Sequence, residues 1–215
     1  MSVRVLVYGD SNSWGCPPDG TGLRIARRWP VVMAEILGLE LVEDALAGRT
    51  TIHDDAEMHG LAQNGLTHLP AALLAAQPVD FVVIMLGTND MKTRYEPSAR
   101  KIAQNVMRLV NCVSETGGGP GAWGESPAPK VGVICPHILP EAADDPNWDR
   151  CKEWQGGREA SLGLWQAVRA LAPEDVPILN AAEHVTGDPA DPIHFGDAAH
   201  QALGEAAANW IRPHL

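Results

Sequence analysis

The 215-residue sequence has no apolar run approaching the roughly 18–20 residues needed to span a bilayer. Positive charge is scarce: 16 Lys and Arg stand against 27 Asp and Glu, a net charge of −11. Such a surface repels nucleic acid and anionic membranes, so neither is an expected partner. The four cysteines are Cys16, Cys112, Cys135 and Cys151. None belongs to a CxxC pair or a Cys/His cluster of zinc spacing, so they read as free thiols and no structural zinc is expected. The N-terminus lacks a signal-peptide pattern, since the short apolar run from Val3 meets Gly9 and Asp10 at once. A cytoplasmic location is expected. There is no internal repeat.

The composition is that of an ordinary globular protein, 45% hydrophobic and 20% charged. The length suits one domain over 1–215. Short apolar runs predict strands at Val3–Tyr8, Leu39–Ala45, Phe81–Leu86, Val131–Cys135 and Val176–Leu179. Helices are expected at Trp29–Leu37, with Gly38 as its C-cap, at Leu69–Ala76, over about 98–115, at Ala160–Ala172 and from an Asp197 N-cap to the C-terminus. Strands alternating with helices argue for an α/β domain with a mostly parallel sheet covered on both faces. The Gly- and Pro-rich stretch Thr116–Pro129, which carries Trp123, reads as a surface insertion. The long connection Pro136–Gly157 points to a functional loop.

Ligands of open parallel sheets bind at the carboxyl ends of the strands. Three of those ends carry polar, glycine-bearing turns: Gly9-Asp10-Ser11, Ala47-Gly48-Arg49 and Gly87-Thr88-Asn89-Asp90. After the fifth strand comes Asp191-Pro192-Ile193-His194-Phe195. Each block alone is an ordinary turn or cap. Together they supply a Ser nucleophile, a His base near neutral pH, a carboxylate to orient the imidazole, and uncharged donors for an oxyanion. Asp191 precedes His194 by three residues, close enough in a tight turn to accept from Nδ1–H. A rival pair, Asp197 and His200, has the same spacing but fits a helix start better. His137 follows the fourth strand, where it could line the pocket, and Cys16 lies in the loop beside the first block. The acidic stretch with Asp54, Asp55, Glu57, His53 and His59 matches no metal-ligand spacing and reads as a solvated loop. No metal or other cofactor is expected.

The four blocks resemble the SGNH hydrolases, the GDSL-type esterases, through Ser11, Gly48, Asn89 and His194. Closer similarity to the short-chain arylesterase and acyltransferase branch lies in Arg49-Thr50-Thr51, in Ile84–Asp90 and in Pro127–Val131. Asn12 departs from the pattern, which has Leu after the nucleophile. The resemblance implies a three-layer α/β/α sandwich of flavodoxin-like type with a five-stranded parallel sheet. It implies catalysis by Ser11, His194 and Asp191, and an oxyanion hole from Ser11 N–H, Gly48 N–H and the Asn89 side chain. Asp10 and Asp90 are expected to support the turns. A homo-oligomer is implied by the resemblance alone.

The expected substrate is a small ester, with water or an alcohol as acyl acceptor. Trp14, Ile138 and Phe195, with Pro17, Pro18 and Trp154, are expected to form a small apolar pocket. The other readings are a carbohydrate O-deacetylase on the same residues and a non-catalytic flavodoxin-like binding module. Gly9-Asp10-Ser11 lacks the glycine density of a phosphate cradle.

Overall fold

In the computed structural model, which describes residues 2–215 except Trp123 and Pro189, five strands lie parallel in one sheet. They are β1 (Arg4–Gly9), β2 (Glu40–Ala45), β3 (Phe81–Met85), β4 (Lys130–Cys135) and β5 (Ile178–Asn180), in the order β2-β1-β3-β4-β5. The central strands are apolar at nearly every position because both faces are covered. Leu6 and Tyr8 of β1, with Val82 and Ile84 of β3, face α3 (Gly65–Ala76), α4 (Ala99–Thr116) and α5 (Gly157–Leu171). Val5, Val7, Phe81, Val83 and Met85 face α2 (Trp29–Leu37) and α6 (Asp197–Ile211). The alternation of strand side chains thus builds two cores, one on each side of the sheet.

The expected three-layer α/β/α architecture is the one observed. Gly38 closes α2 in the left-handed conformation, with φ +65°. Element starts differ in informative ways. Helix α3 begins at Gly65 rather than Leu69, because the Asn64 side chain accepts from Thr67 N–H at 3.1 Å and caps it. Helix α6 is capped by the backbone of Gly196, so Asp197 is its first residue and not the N-cap. Strand β5 runs Ile178–Asn180 instead of Val176–Leu179. Trp123, assigned by the sequence to a surface insertion, lies outside the described residues. Among the described residues no helix is long and apolar enough to cross a membrane.

The strand order reverses between β1 and β3, which opens a crevice at their carboxyl ends. A one-turn helix, α1 (Ser11–Trp14), begins there directly after β1.

Candidate active site

The turn into α1 is too tight for a side chain at its pivot. A Cβ placed on Gly9 would lie 2.2 Å from Ser13 Oγ. Asp10 caps α1 by accepting from Asn12 N–H at 2.9 Å, and Gly15 closes it with φ +87°. Burial drives the Asp10 carboxyl up to about 6, against the pull of the Asn12 bond. Ser11 therefore sits at the first helical position, where a backbone N–H has no partner within the helix.

The chain returns to Ser11 through the loop before α6. Asp191 Oδ1 accepts from Ile193 N–H at 3.0 Å, and Oδ2 lies 2.6 Å from His194 Nδ1. His194 Nε2 lies 3.1 Å from Ser11 Oγ. Carboxylate, imidazole and hydroxyl thus form one hydrogen-bonded line. Burial pulls the His194 imidazolium pKa down. The Asp191 bond and charge, with Cys16 beside the ring, outweigh it and raise the group to about 9. Burial raises Asp191 too, but its bond to His194, that ring's charge and the Ile193 N–H hold it below its ordinary value. Such a line can pass the Ser11 proton to imidazole whenever His194 is neutral.

Two of the other expected donors follow the carboxyl ends of β2 and β3. Gly48 takes a left-handed conformation, φ +84°, in the turn after β2. Asn89 follows β3, and its Nδ2 donates to Arg49 O at 3.1 Å, which orients the amide and leaves its second N–H for a ligand. Among the described residues, neither Ser11 N–H nor Gly48 N–H is given to a protein acceptor. Asp90 accepts from Thr51 N–H at 2.9 Å and from Thr51 Oγ1, so it ties the β2 and β3 turns together. The arrangement offers a nucleophile and a base in one hydrogen-bonded line.

Several expected site residues lie elsewhere. Phe195 is fully buried, packed edge-on between the rings of His137 and His200. Trp154 is also fully buried, and Pro17 is buried. Trp14 and Ile138 keep exposed surface. His137 is fully buried beneath the loop, with Nε2 3.3 Å from Pro192 O, and burial drives its pKa down to about 4. The rival pair is not brought together. Asp197 is exposed, whereas His200 is buried and accepts from Trp29 N–H at 3.3 Å. The acidic stretch is not uniformly solvated, because Asp55 is buried between Lys92 and Arg94, at 3.5 and 3.0 Å. The hydropathy pattern missed it because the two cations lie nearly forty residues away. Sequence reasoning also missed what Asn12 does: its Nδ2 donates to Ile193 O at 2.9 Å. Its departure from Leu was the only signal.

A family model described as GDSL-like lipase/acylhydrolase matches residues 7–202. Among solved structures, the inhibitor-bound aryl esterase of M. smegmatis is 35% identical over 100% of both chains, with a TM-score of 0.88. A carbohydrate acetylesterase from Sinorhizobium meliloti is 34% identical over 99% of this chain and 100% of its own, also with a TM-score of 0.88. A search of curated proteins found no match.

Proposed function

Because the chain belongs to the GDSL-like lipase/acylhydrolase family and is an esterase of the SGNH type, we propose that Ser11, His194 and Asp191 carry out ester cleavage through a covalent acyl-enzyme. Ser11 Oγ attacks the ester carbonyl while His194 Nε2 takes its proton. Asp191 holds Nδ1–H and stabilises the imidazolium. The oxyanion of the tetrahedral intermediate is met by Ser11 N–H, Gly48 N–H and Asn89 Nδ2. Collapse expels the alcohol, which takes the proton from His194. Water, or a second alcohol, then enters beside His194, gives up its proton and releases the acyl group.

The observation that carries this reading is the unbroken line from Asp191 Oδ2 to Ser11 Oγ, at 2.6 and 3.1 Å. The substrate class is a short-chain acyl ester of a small alcohol or phenol, approached past the exposed surface of Trp14 and Ile138. A carbohydrate O-acetyl ester is the second reading. It is favoured by the burial of Phe195 and Trp154, which leaves the entrance less apolar than the sequence implied.

A fluorophosphonate probe tests the nucleophile. The expected result is one adduct on the Ser11 peptide and none in Ser11→Ala. Labelling that survives Ser11→Ala would overturn the assignment.

A further inference from the structure

The buried Lys92–Asp55 pair lies outside the machinery described above and fastens the Asp55–Gly60 turn, whose Met58 packs against Gly48. Asp55 N–H donates to Gly60 O at 3.1 Å, and Gly60 N–H returns to Asp55 O at 2.7 Å, closing the turn. Within it, Met58 N–H donates to Asp55 O at 3.1 Å. The Asp55 carboxylate faces Lys92 Nζ and Arg94 Nη1, and both cations also reach Glu153 Oε1, at 3.4 and 3.1 Å. A buried carboxylate flanked by two cations resists displacement, since moving it would strand its charge. The turn is thereby anchored at its base.

Its tip meets the site. A Cβ placed on Gly48 would lie 2.4 Å from Met58 Sδ and 2.7 Å from Met58 Cε. The Met58 thioether thus occupies the space that a side chain at Gly48 would fill, and it lies 3.9 Å from Lys92 Nζ. Yet Met58 remains 41% exposed, so it is not simply a core residue. It stands as an apolar, deformable wall between solvent and the glycine whose N–H would face the oxyanion.

We propose that the Asp55–Gly60 turn is a fastened wall of the acyl site and that Met58, at its tip, limits the length of the acyl group accepted. The proposal rests on the Ser11 acyl-enzyme reading. On that reading the acyl group lies on the Gly48 side of Ser11, where the thioether limits how far it extends. A longer acyl chain must displace it, and each added methylene loses the burial that an open channel would give. A buried methylene is worth about fourfold in a rate ratio.

The test is kcat/KM for p-nitrophenyl acetate and butanoate, taken as the butanoate-to-acetate ratio. Met58→Ala should raise this ratio about tenfold, and Met58→Phe should lower it. Leu61→Ala, a change at an exposed residue of the same loop, should leave it within twofold. If both Met58 variants keep the parent ratio, the wall is elsewhere and this inference fails. The same holds if Leu61→Ala shifts the ratio as much as Met58→Ala. Ser11→Ala on both esters keeps the two readings apart. Surviving turnover there overturns the acyl-enzyme reading itself, whereas lost turnover with an unmoved Met58 ratio overturns only the assignment of Met58.

Discussion

The side-chain amide of Asn12 donates to the carbonyl of Ile193, the residue before His194, at 2.9 Å. One buried bond therefore joins the turn that carries Ser11 to the loop that carries His194. The same residue's backbone N–H is held by Asp10. Asn12 is fully buried, so the bond is shielded from water.

Asn12→Leu keeps the branched shape and the number of side-chain heavy atoms but removes the donor. It should leave Ile193 O unpaired and cost about 1–3 kcal/mol of stability. With the His194 loop less well registered, kcat should fall about tenfold with little change in KM, since sub-ångström misplacement of a base lowers the rate of proton transfer. Steady-state kinetics and thermal melts read the two effects separately. A lowered Tm with unchanged kcat would confine the bond to a structural role.

Ser11→Ala and His194→Ala should each lower kcat by about 10⁴-fold or more, and the double variant little further, because the residues act as a unit. Asp191→Asn should lose less than either. A mild His194→Ala beside a damaging His200→Ala would mean that the base has been misassigned.

Asn89→Ala should lower kcat by about 10²–10³-fold with KM little changed, as for loss of one oxyanion donor. Asn89→Asp should be at least as harmful, because it sets a carboxylate against the developing charge. A loss confined to KM would assign Asn89 to ground-state binding.

The acid–base behaviour follows from His194, raised to about 9 by Asp191 and Cys16 against burial. Only the neutral ring accepts the Ser11 proton, so kcat/KM should climb with pH and level off above about 9. Stability should move the other way. A histidine raised in the folded state contributes stability that is full below its unfolded value, about 6.5, and lost as pH rises through its folded one. His137 and His200 run in the opposite sense. Burial lowers each to about 4, so their share is present above about 6.5 and lost as pH falls towards 4. A pH–rate profile and a pH series of melts test both signs. Cys16→Ala should move the activity midpoint to lower pH, and an unmoved midpoint would remove Cys16 from the explanation.

Partition of the acyl-enzyme should favour alcohols beyond their share of the solvent. Each methylene an acceptor buries at the entrance is worth roughly 0.8 kcal/mol, so two or three shift the ratio about tenfold or more. Product analysis from vinyl acetate with increasing alcohol reads this directly. Hydrolysis that stays dominant at every concentration would make the protein a plain hydrolase.

The sequence by itself determined the alternation of strands and helices, because strand and helix periods and the Gly38 cap are local properties. The order of Ser11, Gly48, Asn89 and His194 at successive turns was legible for the same reason. The start of α3 depended on one capping bond from Asn64 that composition does not reveal. Tertiary structure decided which aromatic side chains face the crevice. Phe195 directly follows His194 and Trp154 lies in the long connection after β4, yet packing on the two faces of the sheet turns each into a core. It also decided the partners of Asp55 and Asn12. Their hydrogen bonds and ion pairs close across distant segments, and a pairing between distant segments exists only once the sheet has brought their ends together.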